Sequence, residues 1–258
     1  MLLNTVIIIL QEVLEAALLV SVLLALSHAL KTGLHWLFIA ALLGFVGAYV
    51  FQHNLEAISS AFDYVGQEVT NAALQITVFF SLLVISYCLT QTTNNHHKLI
   101  IISMAVAVSL SVVREGSEII IYVGSFLQRQ EHILSVTIGA GIGIAIGAST
   151  AALLFYGITA LRPPALILTT QLLLALIAAS MLSQAAQQLI QADWLPAHTP
   201  VWDTSFIIDE QSIVGRLLYA IAGYEARPDI LQLCAFITGL ISILLFRFRK
   251  QNSRVENL

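Results

Sequence analysis

The feature that most restricts this chain is the recurrence of apolar stretches long enough to cross a bilayer. A spanning helix needs about 20 mostly apolar residues. Seven stretches qualify, at 3–30, 35–54, 68–91, 99–127, 133–160, 166–191 and 229–248. Composition agrees: only 10% of residues are charged, against roughly 25% in a soluble domain. A water-soluble fold of 258 residues could not cover its surface with so few ionic groups. The expected fold is all-α, a polytopic membrane protein with seven transmembrane helices. The first stretch carries Glu12 and Glu15 where a signal peptide would be apolar and has no basic segment before it, so it is expected to be retained.

Eleven Lys and Arg face fifteen Asp and Glu, a net charge of −4 with no basic patch, which excludes nucleic acid as a partner. Cys88 and Cys234 lie far apart in apolar runs and form no CxxC pair or disulfide framework. The basic residues also orient the chain. With the N-terminus outside, the inner side receives Lys31, Lys98, Arg162, Arg247, Arg249, Lys250 and Arg254. The outer side receives Arg129, Arg216 and Arg227, and Arg114 sits within a span. An inward excess of positive charge then predicts the N-terminus outside and the C-terminus in the cytoplasm. Acidic residues gather on the outer side, among them Glu56, Asp63, Glu68, Asp203, Asp209, Glu210 and Glu225, as filling for outward loops or as a face that attracts cations. The long outer connection 192–228 contains an apolar stretch, Ile213–Ala222, too short to span and expected to form an interfacial or lid helix.

Four glutamates lie inside the expected spans in two matched pairs. The first span reads Gln11-Glu12-Val13-Leu14-Glu15 and the fourth Arg114-Glu115-Gly116-Ser117-Glu118. The i, i+3 spacing puts both carboxylates of each pair on one helix face. The motifs are 103 residues apart, which divides the chain into repeat one (about 1–95) and repeat two (about 96–191). The loop 192–228, a last helix 229–248 and a cytoplasmic tail 249–258 follow. Three spans per repeat is an odd number, so the second copy enters from the opposite side, the inverted-repeat plan of many secondary transporters. Glu12 and Glu118 each lie 9 residues from the outer end of their span, and Glu15 and Glu115 each lie 12. All four are therefore expected at one level.

Such residues are costly in a bilayer. Each ionisable side chain near the centre costs about 2.5–3.5 kcal/mol, so four Glu and one Arg together cost about 12–18 kcal/mol before any pairing. One Arg cannot neutralise four acids in a purely structural salt bridge. Carboxylate oxygens are hard ligands that suit Ca²⁺, Mg²⁺, Mn²⁺ and Fe³⁺, and no Cys or Met lies beside the motifs to favour copper. Fully ionised, the cluster with Arg114 would carry −3.

The segment Arg114-Glu115-Gly116-Ser117-Glu118 resembles the R-E-G-x-E signature of the oxidase-dependent iron permease family. Gly66-Gln67-Glu68 resembles that family's third-span segment. Trp202-Asp203-Thr204-Ser205 and Gly223-Tyr224-Glu225-Ala226-Arg227-Pro228 resemble its outer-loop segments. The first motif departs from the pattern, with Gln11 where Arg is usual and Val13 where Gly is usual. Glu68 is followed by Asn71 where a second acid is often found. The resemblance implies a bacterial inner-membrane permease, not an enzyme, with iron as transported substrate and no permanently bound cofactor. Glu12, Glu15, Glu115 and Glu118 would form the metal site, with Arg114 and Gln11 tuning its charge. Glu68, Asn71, Asp203, Asp209 and Glu210 are candidates for an accessory relay. It further implies an extracytoplasmic partner: an iron oxidase, a peroxidase or an iron-binding protein.

Other features weigh less. Gly139, Gly143 and Gly147 form a small-residue stripe that close helix packing explains. The histidines fall at span ends or in loops, which leaves no paired intramembrane haem ligands. Gln171, Gln184, Gln187, Gln188 and Gln191 on the sixth span are expected to face the bundle interior, bonding to neighbours or lining the route. No G-x-x-x-x-G-K-[ST] occurs, so energy must come from a gradient, a potential or a partner. The competing readings are a permease for Pb²⁺ or Mn²⁺ and a non-transporting membrane subunit of a redox complex.

Overall fold

The computed structural model describes residues 1–90, 96–126, 130–210 and 212–255, and the side chains of 130–132, 213 and 247–255 are not described. Arg129 and the last three residues of the expected tail lie outside the described residues.

Among the described residues the regular structure is entirely helical: α1 (Leu2–Ala29), α2 (His35–His53), α3 (Leu55–Ser60), α4 (Gly66–Thr90), α5 (His97–Gly124), α6 (Gln130–Thr159), α7 (Pro163–Gln191), α8 (Ile213–Ala222) and α9 (Ile230–Val255). Six helices, α1, α2, α4, α5, α6 and α7, are long and apolar enough to cross a membrane. The apolar part of α9, Ile230–Phe246, has 17 residues, the short end of the spanning range. This is a polytopic helical membrane protein. Boundaries match the sequence expectation within a few residues, with two differences. The single-turn helix α3 was not foreseen, because six residues carry too little periodicity to register. And α9 runs on to Val255, through most of the segment expected to be a tail.

Local chemistry sets the helix ends. Pro163 and Pro164 open α7, where a missing N–H is harmless. Ser212 caps α8 by accepting a hydrogen bond from the Gly215 N–H at 3.0 Å, and Gly223 closes it at φ 63°. Gly223 is needed there twice over, since a Cβ would also lie 2.8 Å from Ser180 Oγ.

Packing is interleaved between the two halves of the chain. α1 packs mainly on α6, α2 on α5, and α4 on α7, with α9 against α7. Glycines make both of the first two contacts possible. A Cβ on Gly139, Gly143 or Gly147 of α6 would meet Thr5, Ile9 or Val13 of α1 at 2.4–3.0 Å. On α2, a Cβ on Gly44 or Gly47 would meet Val112 or Val113 of α5 at 2.5–2.6 Å. Close backbone approach through small residues is the main packing device available where lipid removes the hydrophobic drive. Gly147→Leu should therefore lower stability by about 1–3 kcal/mol or more through overpacking. Retention of monodisperse protein after heating in detergent measures this, and an unchanged melting temperature would contradict the contact.

The apolar core fills one end of the bundle. Leu19, Val22, Leu23, Leu82, Ile85, Met104, Ala107 and Leu174 are buried together. All lie past the E-x-x-E level, towards the end where α1 finishes and α5 begins. The opposite end carries the chain's N-terminus, α3 and α8, and there the interior is polar.

Candidate metal centre

The middle of α1 and the second half of α5 bring the two motifs face to face. Arg114 is buried, and its Nη1 donates to Glu115 Oε1 at 2.7 Å and to Glu15 Oε2 at 3.2 Å. Its Nε lies 3.6 Å from Glu118 Oε1. Glu12, Glu115 and Glu118 each bring one carboxylate oxygen to within 4.8 Å of the others. Glu15 is joined to them through Arg114, so the two motifs face one another. Glu15 and Glu115 are 4% and 2% exposed, whereas Glu12 and Glu118 are half-buried. Glu115 Oε2 is buried with no hydrogen-bond partner in the protein. Three convergent carboxylates, one of them with a free oxygen, can hold a hard cation.

Two cavities reach the cluster from the N-terminal end of the bundle. One, of about 360 Å³, is lined by Glu12, Glu15, Arg114 and Glu118 below and by Glu210, Tyr219 of α8 and Glu225 above. Gln11 and Gln188 also line it. The other, of about 550 Å³, runs between α1, α4 and α5 past Gln67, Glu68, Asn71 and Tyr122. Both share Glu12, Glu118 and Gln188, so the Glu12–Glu118 pair stands where they join.

The accessory candidates separate. Glu68 and Asn71 line the second cavity, and buried Asn71 keeps its Oδ1 without a partner. Glu210 lines the first cavity, but its Oε1 accepts hydrogen bonds from the Ala226 and Arg227 N–H groups, which also ties the outer loop together. Asp203 does not line either cavity. It is exposed, accepts from Ser205 and pairs with Arg227 at 3.0 Å. The Ser205 hydrogen bonds, with Arg227 beside them, hold its carboxyl down at about 2. Asp209 lies with Glu210 in a separate outer-loop cleft, against Ser205 and Arg227.

Sequence reasoning did not single out Tyr219, and it placed Glu225 on the outer face without a place in the site. Both reach the first cavity only because α8 folds back over α1 and α7. Burial, reinforced by the charges of Glu210 and Asp229, pushes the Glu225 carboxyl up to about 7. Gln75 was also missed, although a glutamine in the third span was a visible signal. Its Nε2 donates to Gln184 Oε1 at 2.8 Å.

Long apolar helices packed around an intramembrane carboxylate cluster define a membrane protein whose polar machinery lies between its spans. The chain belongs to the Iron permease FTR1 family, whose profile matches residues 2–248. It is similar to the ferrous iron permease EfeU of Shigella flexneri, at 26% identity over 152 residues, or 58% of this chain and 63% of that one. The ferrous iron permease EfeU of Escherichia coli O157:H7 is also 26% identical over 152 residues, 58% of this chain and 54% of the relative. The matched stretch thus spans little more than half the length of these relatives. No solved structure matches the chain.

Proposed function

We propose that the protein is an iron uptake permease of the bacterial inner membrane, passing iron through the site formed by Glu12, Glu15, Glu115 and Glu118. The observation that carries this reading is the convergence of two E-x-x-E motifs from helices 103 residues apart on one buried point at the meeting of two polar cavities. Iron is the substrate, taken as a hard cation by oxygen ligands. The interleaved packing of α1 on α6 and α2 on α5 supports a three-plus-three repeat, since exchanging the halves exchanges these two contacts. The site then opens to the outer side and is closed inward by the apolar core, and exchange between the halves would release iron to the cytoplasm. Delivery by an extracytoplasmic oxidase, peroxidase or iron-binding protein would load the outer cavities.

Radio-iron uptake into proteoliposomes containing only this chain, with and without reductant, tests the function. Metal movement selective for Pb²⁺ or Mn²⁺, or none at all, would overturn it. The orientation is tested separately: external protease should remove a tag at the N-terminus but spare one after Leu258, and tags reached from the same side would refute the seven-span topology. In the outer cavity, Glu225 is protonated below about pH 7 and carries charge above it. Cations bind the ionised form, so uptake at limiting iron should strengthen between about pH 6 and pH 8. Glu225→Gln should flatten that rise, and a parallel pH profile in the variant would remove Glu225 from the capture route.

A further inference from the structure

The four glutamates are not equivalent. Glu15 is absent from the group of Glu12, Glu115 and Glu118 oxygens that lie within 4.8 Å of one another. Its Oε2 instead receives two donors, Arg114 Nη1 at 3.2 Å and Gln184 Nε2 at 3.3 Å. Glu115 gives one oxygen to Arg114 and keeps Oε2 free.

Gln184, 2% exposed, stands at the centre of this arrangement. Its Oε1 accepts from Arg114 Nη1 at 3.0 Å and from Gln75 Nε2 at 2.8 Å, while its Nε2 donates to Glu15 and to Ser180 Oγ, both at 3.3 Å. The carboxamide does both, accepting through Oε1 and donating through Nε2. A glutamate here would have no donor for Glu15, and an apolar residue would leave buried polar groups of α1, α4 and α5 unpaired. Because Gln75 lies on α4 and Gln184 on α7, the pair carries the arginine and glutamate of α5 and α1 on a different helix pair from the one that supplies the ligands.

We propose that Glu12, Glu115 and Glu118 coordinate the cation, while Glu15 is a counter-ion held to Arg114 by Gln184, which makes Gln184 with Gln75 behind it a positioning pair for the site. This rests on the four-glutamate reading and divides it. Arg114 and Glu15 neutralise one another, so the ligand set meets the cation with three carboxylates. Gln184 sets where the guanidinium sits and therefore which Glu115 oxygen is left free.

Terbium(III), a hard luminescent cation, tests the division on the purified full chain in detergent. Its lifetimes in H2O and D2O report how many waters remain on the bound ion. Leucine cannot coordinate, so Glu12→Leu, Glu115→Leu and Glu118→Leu should each raise the bound-water number or abolish binding. Glu15→Leu and Gln184→Leu should leave that number as in the parent protein, while lowering the maximal rate of radio-iron uptake in proteoliposomes. The double variant Glu15→Leu/Gln184→Leu should lose little more than either alone. More bound water, or no binding, in Glu15→Leu would make Glu15 a ligand and overturn the division. If all four Glu→Leu variants leave the water number unchanged, the metal site itself is refuted and the division with it. Should Gln184→Leu fail to fold, Gln184→Asn and Gln75→Leu serve: unchanged bound water with slowed uptake supports the positioning role, and parent-like uptake in both overturns it.

Discussion

Glutamine at position 12, 115 or 118 should reduce iron uptake by about tenfold or more, the least expected when a metal site loses a direct ligand. Glu→Gln keeps the size of the side chain and removes the charge, so packing changes little. Insertion into the membrane should be intact or improved, because a neutral amide is cheaper to place in a bilayer than an ionised carboxylate. The three oxygens lie within 4.8 Å of one another, so the effects must be strongly non-additive. A double variant should be hardly worse than a single one, since one missing ligand already ruins a shared site. Glu15→Gln should slow uptake too, but through the ion pair with Arg114. Uptake assays with surface-expression controls decide the matter. Free tolerance of Gln at position 12 beside loss at 115 and 118 would mean that α5 acts alone and that the two-motif site is wrong.

Arg114→Gln should be the most damaging single change to the fold. The guanidinium lies 2.7 Å from Glu115, 3.2 Å from Glu15 and 3.6 Å from Glu118. Removing it leaves buried carboxylates without their counter-charge. Breaking a buried pair from one side typically costs about 3–5 kcal/mol. The melting temperature in detergent should fall clearly, and uptake should fall with it. Arg114→Lys restores the charge but not the guanidinium that reaches Glu15, Glu115 and Gln184 through Nη1 and Glu118 through Nε, so recovery should be partial. If Arg114→Gln were as stable and active as the parent chain, the electrostatic account of the site would fail.

The glycine contacts show where local reading succeeds. The stripe Gly139, Gly143 and Gly147 was visible in the sequence as a packing face, and it meets α1 in the structure. Its partner was not visible, and neither was the matching use of Gly44 and Gly47 against α5. Glu12, Glu15, Glu115 and Glu118 were legible because a charge inside an apolar run is conspicuous against a bilayer's cost. Asp203 shows what the sequence did not display: its carboxyl accepts from Ser205 and pairs with Arg227 away from both cavities.

What the sequence by itself determined is what depends on neighbouring residues and the bilayer: the long apolar helices, their all-helical class and the presence of four carboxylates within them. Hydropathy and helical period are properties of neighbouring residues, so they survive without knowledge of the partner. Only the tertiary structure decided which oxygens converge and which are occupied. Glu15 meets Gln184 across 169 residues of chain, and Gln75 meets it across 109. Those pairings follow from how α1, α4, α5 and α7 pack side by side. An isolated helix with the same residues could present the same glutamates without separating a ligand from a counter-ion.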